Sequence, residues 1–161
     1  FYDHWQDTEH EQHAIEAALD IAGLGTRPRY VPVYSVPGER LILPVNGRGM
    51  WSMLYGYVAL DASDLNTIRG FEIYDHGETP GIGDRIEAPE WQAQWIGLRV
   101  YDESGRVAVR IVQGADGPHE VDLISGASVT TEAVGKMVQY WFGEDGYAPF
   151  VAAQRHGATR P

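Results

Sequence analysis

The segment Asp122-Leu-Ile-Ser-Gly-Ala-Ser-Val-Thr-Thr131 gathers four hydroxyls, Ser125, Ser128, Thr130 and Thr131, around Gly126 and Ala127. It lies just before apolar residues begin to recur at helical spacing. The first turn of a helix leaves amides without intrahelical partners and carries partial positive charge. A phosphate placed there gains hydrogen bonds and a favourable field together, and small residues let it approach the backbone. An ordinary Ser/Thr-rich helix cap has the same composition, so these letters alone leave both readings open. A second loop, Gly77-Glu-Thr-Pro-Gly-Ile-Gly83, could bring backbone close to a ligand or could be a surface turn on Pro80 and Gly81.

Other reactive side chains form no convincing constellation. His10 and His13 are three apart, but no third ligand accompanies them, so a solvated face is expected and no metal site. His76 and His119 flank the two loops, and His4 and His156 stand near the termini. Carboxylate neighbours such as Glu9/Glu11 and Glu144/Asp145 read as solvated surface, and Lys136 as a surface cation. Ser128 as a hydrolytic nucleophile lacks a Gly-x-Ser-x-Gly elbow and a His–acid partner. No catalytic side chain is therefore expected. Trp91, Trp95 and Trp141 read as core, whereas Trp51 and Met50, in a glycine-rich turn, are the aromatic and thioether placed to meet a ligand or partner.

The elements that must position these loops are legible as changes of period. Residues 8 to 23 read as a helix, with Ala14, Ala17, Ala18, Leu19, Ile21 and Ala22 largely on one face, Thr8 and Glu11 as a capping box, and Gly23 and Gly25 as a stop. Strands follow at Tyr30–Ser35 and Glu39–Leu43, punctuated by Pro32, Pro37 and Gly38. Leu54–Asp61 and Thr67–Asp75 read as an antiparallel hairpin with a bulge at Gly70. Pro89–Ile96 predicts a short helix, Arg106–Gln113 a strand, Thr130–Phe142 a long helix carrying Val134, Met137, Val138 and Trp141, and Ala148–Gln154 a final short helix.

Length and composition bound the rest. The 161 residues, 43% hydrophobic, suit one domain over 1–161 with a single core and no internal repeat. Twelve Lys plus Arg against 23 Asp plus Glu leave a net charge of −11, which repels phosphate backbones and argues against nucleic acid and against flat docking on anionic lipid. With no cysteine, disulfides, thiol catalysis and a cysteine-ligated iron–sulfur cluster are excluded for this chain. No apolar run approaches the roughly 20 residues of a membrane helix, and since the chain starts at Phe1 a preceding segment is expected to be missing.

Asp122-Leu-Ile-Ser-Gly-Ala-Ser128 resembles the Asp-x-x-Ser/Thr-Gly-Ala-Thr signature of FMN-binding domains flavinylated on a hydroxyl. The resemblance implies that a flavin transferase joins the phosphate of FMN to Ser128, with Asp122 opening the motif and Ser125, Gly126, Ala127, Thr130 and Thr131 around the phosphate. Ser replaces the usual Thr, which keeps the hydroxyl and loses a methyl. Gly77–Gly83 resembles the Glu-Thr-Pro-Gly-Leu-Gly loop of the same family, implying that Glu78, Thr79, Gly81, Ile82 and Gly83 line the flavin; Trp51, from its glycine-rich turn, is taken as a further contact of the ring.

Over residues 30 to 155, Gly47–Ser52, Tyr55–Leu60, Tyr74–Pro80, Pro89–Trp91, Tyr140–Gly143 and Gly146–Phe150 resemble the C subunits of Na+-translocating NADH:quinone oxidoreductases. Gly83–Glu87 leans towards the homologous G subunits of Rnf ferredoxin:NAD+ oxidoreductases. The implied fold is α+β, a twisted antiparallel sheet flanked by helices. The implied role is electron relay within a bacterial cytoplasmic-membrane complex, the domain lying on the extracytoplasmic side behind an N-terminal membrane helix. Other subunits of that complex would be its partners. The alternative is a flavin-free interaction domain.

Overall fold

The computed structural model describes residues 11–157. Its elements, in order, are β1 (Gln12–Ala14), β2 (Thr26–Pro28), β3 (Tyr34–Val36), β4 (Arg40–Arg48), β5 (Met53–Asp61), β6 (Ile68–Asp75), α1 (Pro89–Gln92), β7 (Arg110–Val112), β8 (Glu120–Asp122), α2 (Ser128–Trp141) and α3 (Ala148–Gly157). Two 3-10 turns, Gly83–Glu87 and Ala93–Trp95, flank α1.

Strands β3 to β6 form an antiparallel meander in sequential order. Alternation along these strands sends Leu43, Val45, Leu54, Val58, Leu60, Phe71 and Ile73 into the core. Between β5 and β6 the register steps from Ala59↔Gly70 to Leu60↔Ile68, leaving Arg69 as the extra residue beside the expected glycine. Helix α2 packs across β4, and the fit is tight because a Cβ on Gly47 would stand 2.9 Å from Met137 Cβ. Trp141 Nε1 donates to Asn46 O at 2.8 Å and Tyr147 Oη to Pro44 O at 2.5 Å, so buried aromatic polar atoms are satisfied by β4 carbonyls. At the other end of the sheet Phe71 stacks on Trp95 at 4.1 Å between ring centres, with Trp91 edge-on. A single hydrophobic cluster runs from Ala22 to Val151. The architecture is α+β, a twisted antiparallel sheet with helices packed on it.

Three expectations are corrected. The helix over 8–23 is absent from residues 11–23: Gln12–Ala14 pair antiparallel with Thr26–Pro28, and the chain between them turns back on itself. Alanine-rich propensity is a weak preference, and here Ala14, Ala17, Ala18, Leu19 and Ile21 are exposed and only Ala22 of that face is buried, so too little apolar surface is covered to stabilise a helix. Asp20 instead binds the amides of Leu24 (2.8 Å) and Gly25 (2.7 Å), and Gly23 and Gly25 take left-handed conformations that L side chains resist. Thr8 of the supposed capping box, with His4 and His10, lies outside the described residues.

The strand expected over 106–113 shrinks to Arg110–Val112, and its partner β8 is parallel, a pairing that alternation does not announce. Val107 is taken by an isolated antiparallel bridge to Tyr101. The strand expected at Tyr30–Ser35 is confined to Tyr34–Val36, after Pro32 has interrupted the preceding segment.

Candidate functional site

Glu78 is only 4% exposed. Its carboxylate accepts hydrogen bonds from the amides of Met50 (3.2 Å), Trp51 (3.0 Å) and Ser52 (3.2 Å) and from the Thr130 hydroxyl (2.5 Å). One side chain thus ties together the turn before β5, the Gly77–Gly83 loop and the first turn of α2. Two glycines make room for it. A Cβ on Gly49 would stand 2.6 Å from Glu78 Oε1, and one on Gly83 would stand 2.9 Å from Glu78 Cβ and 3.1 Å from Thr130 Oγ1. Burial pushes the Glu78 carboxyl up, but the hydroxyl of Thr130 and the amides of Trp51, Ser52 and Met50 outweigh it and hold the group below the ordinary glutamate value.

His76 supports the same loop from behind. Its Nδ1 accepts the Glu78 amide at 3.0 Å, which leaves the proton of a neutral ring on Nε2. That nitrogen lies 3.0 Å from Glu87 Oε1, although out of good hydrogen-bond alignment. Thr79 closes the loop, its carbonyl accepting the amides of Ile82 (3.1 Å) and Gly83 (2.9 Å), while Gly81 reverses the chain at φ +74°. His119 is occupied elsewhere, with Nδ1 2.6 Å from Arg99 O.

At the start of α2, Ser128 is exposed and is the first helical residue. Gly126 at φ +83° turns the chain towards it, and no side chain caps the helix at Ala127. The neighbouring threonines have commitments of their own. Thr130 donates to Glu78, and Thr131 donates to Ala127 O at 2.6 Å. Asp122 is turned away from the helix: its Oδ1 accepts the amides of Gly114 (2.8 Å) and Ala115 (2.9 Å), its amide donates to Gln94 Oε1, and its carbonyl accepts Trp91 Nε1. The carboxylate that opens the motif therefore fixes the end of β8. Arg85, just behind the Gly77–Gly83 loop, donates from Nη1 to Ser125 O at 3.0 Å.

Each of these three segments carries an exposed apolar side chain. Trp51 is 64% exposed, and Met50, Ile82 and Val129 are about half exposed. Trp91, Trp95 and Trp141, by contrast, are buried. A hydroxyl at an uncapped helix start, a left-handed glycine two residues before it and exposed apolar side chains, one of them the indole of Trp51, on adjoining segments suit a ligand with a phosphate at one end and a planar ring at the other. FMN fits that donor set. Of the side chains found here, sequence reasoning passed over Arg85 and Val129. A basic residue two positions after Gly83, and a valine at a helix start where a polar residue would cost nothing, were the signals on offer.

Among the described residues no three His, Cys, Asp or Glu side chains gather as metal ligands, and no helix is long and apolar enough to cross a membrane. The FMN-binding domain family matches residues 49–143. The chain is 46% identical over 155 residues to the C subunit of the Na(+)-translocating NADH-quinone reductase from Yersinia pestis, a match that spans 91% of this chain and 58% of the relative. With the corresponding C subunit from Pseudomonas aeruginosa it shares 44% over 154 residues, spanning 89% and 59%. The chain thus spans somewhat under three-fifths of the curated relatives it matches. The crystal structure of Shewanella oneidensis NqrC superposes with a TM-score of 0.85 at 35% identity, covering 95% of this chain and 72% of that one. The chain belongs to the FMN-binding domain family, among the C subunits of Na+-translocating NADH-quinone reductases, with FMN as its cofactor.

Proposed function

We propose that this domain carries FMN through a phosphoester to Ser128 Oγ and relays electrons between neighbouring subunits of a Na+-translocating NADH:quinone oxidoreductase. The observation that carries the reading is the exposed Ser128 hydroxyl at the uncapped start of a 14-residue helix, beside Gly126 at φ +83°. When bound, FMN supplies a centre that takes up and gives off electrons, its potential set by contacts around the ring. The chain's own residues do the rest. Amides of the first turn of α2 and the Ser125–Gly126 backbone receive the phosphate, while Ala127, whose amide donates to Ile124 O, contributes only a small side chain beside it. Ile82 and Trp51 offer apolar faces to the ring, with backbone of Thr79, Gly81 and Gly83 at its edge. Glu78 and Thr130 hold these segments in register, Thr131 secures the helix start and Asp122 the strand before it.

Attachment requires a flavin transferase as partner. The Ser128 hydroxyl loses its proton and forms the Oγ–P bond as the pyrophosphate bridge of FAD breaks and AMP leaves. A covalent tether retains the cofactor on the extracytoplasmic side of the cytoplasmic membrane, where we place this domain. Other subunits of the complex are its redox partners, and a segment beyond this chain supplies the membrane anchor.

Intact-mass measurement after coexpression with a flavin transferase tests the assignment. The chain should gain one FMN increment, Ser128→Ala should lose it while folding normally, and Ser128→Thr should keep it. An increment persisting in Ser128→Ala refutes the acceptor. A colourless chain with no increment favours the flavin-free interaction domain.

A further inference from the structure

We infer that Arg85 is a binding residue for the FMN phosphate, supplying the cation that faces the ester at Ser128; this rests on the reading that the phosphate is anchored there. Arg85 belongs to the 3-10 turn Gly83–Glu87, which begins at the last glycine of the Gly77–Gly83 loop. Its side chain crosses to the other loop, donating from Nη1 to Ser125 O at 3.0 Å across a sequence gap of 40. That bond uses one of the five guanidinium N–H donors, and the side chain is exposed, so the others remain available to a ligand. Ser125 and Ser128 are three residues apart, a span of about 10 Å at most even for extended chain, and the left-handed Gly126 between them turns the segment.

Charge gives this placement its consequence. The chain carries a net −11, with Asp84 and Glu87 on the same turn as Arg85 and Glu132 about one turn into α2. A phosphate entering this region meets a negative surrounding field, and uncapped amides alone must overcome it. A guanidinium already held at Ser125 supplies the opposing charge without ordering a free side chain at the moment of binding. Its planar fork also suits two phosphate oxygens better than a point charge does. A groove of about 370 Å³ lined by Arg85, Trp91, Gln94, Asp122 and Ser125 leaves this contact open to solvent.

FMN and riboflavin share a ring and differ in the phosphate, so the pair isolates the contact. The chain made without transferase is titrated with each by flavin fluorescence, alongside Arg85→Ala, Arg85→Lys and Arg85→Glu, all checked by thermal melting. The expected result is a wild-type preference for FMN that falls about tenfold in Arg85→Ala, the scale of one charge-assisted hydrogen bond. Arg85→Lys should keep most of that preference and Arg85→Glu should lose it further. Riboflavin affinity should stay within about twofold throughout, since no phosphate is involved. An Arg85→Ala variant that keeps the wild-type preference, or weakens both ligands alike, overturns the role of Arg85 and leaves the phosphate site standing. A wild type that does not distinguish FMN from riboflavin overturns the phosphate site and the role of Arg85 with it.

Discussion

Replacing Glu78 by alanine should loosen the site from within, and the structure sets the size of the effect. The change removes the acceptor of three amides, Met50, Trp51 and Ser52, and of the Thr130 hydroxyl. Hydrogen bonds to a charged group contribute roughly 1.5–3 kcal/mol each, but four bonds to one carboxylate are coupled and do not add. The 50–52 turn is near the surface, so its amides regain water once the turn relaxes, whereas Thr130 is 2% exposed and does not. A net loss of about 3 kcal/mol follows, near the lower bound for breaking a buried charged contact. For a chain of this length that lowers Tm by about 6–12 °C.

Glu78→Gln should cost less, about 1–2 kcal/mol. Its oxygen still serves Trp51 and Ser52 and its nitrogen can donate to Thr130 Oγ1, but that nitrogen then confronts the Met50 amide. Because the folded carboxyl lies below its ordinary value of 4.5, the stabilisation is complete above that pH and is lost as pH falls through the lower, folded value. The gap between wild type and Glu78→Ala should therefore be full at pH 7 and narrow in acid. Urea denaturation across pH measures it, and amide hydrogen exchange at residues 50–52 localises it. A Glu78→Ala variant within about 0.5 kcal/mol of wild type at pH 7, with unchanged exchange there, would show that the buried carboxylate does not hold these segments together.

Two further substitutions separate fold from ligand. Trp51→Ala, at a residue 64% exposed, should shift stability by no more than about 0.5 kcal/mol while changing the visible spectrum and fluorescence of bound FMN; a large fall in Tm would contradict its exposed placement. Gly126→Val puts a β-branched side chain at φ +83°, costing about 1–2 kcal/mol by thermal melting and sharply weakening FMN; undiminished FMN binding would count against phosphate approach at this turn.

Local chemistry was readable wherever the decisive partners are near in sequence. The 3.6-residue recurrence of Val134, Met137, Val138 and Trp141 marks α2, because a helix that buries one face must repeat that way. The hairpin of β5 and β6 and the irregularity beside Gly70 follow from alternation and its interruption. The run of hydroxyls and small residues at 125–131 marks the start of α2 at Ser128, while leaving open whether it serves an anion or only caps the helix. The same reasoning fails at 11–23, where helix-forming residues find no surface to cover, and at β7, whose parallel partner β8 is set by the chain's path rather than by its own pattern.

The roles of individual side chains depended on the fold. Glu78 looks from its neighbours like a loop residue facing a ligand. In the folded chain it turns inward to amides 26 to 28 positions before it and a hydroxyl 52 positions after it. Thr130 and Thr131 look like free donors until one is drawn to that carboxylate and the other to Ala127 O. Arg85 acquires a place only when its turn meets Ser125. Composition and periodicity thus bounded the class of domain, and the resemblance carried by the two glycine loops implied the kind of ligand. Only tertiary structure decided which polar atoms are spent inside and which remain open, because a buried group must find its partner wherever the packed backbone brings one.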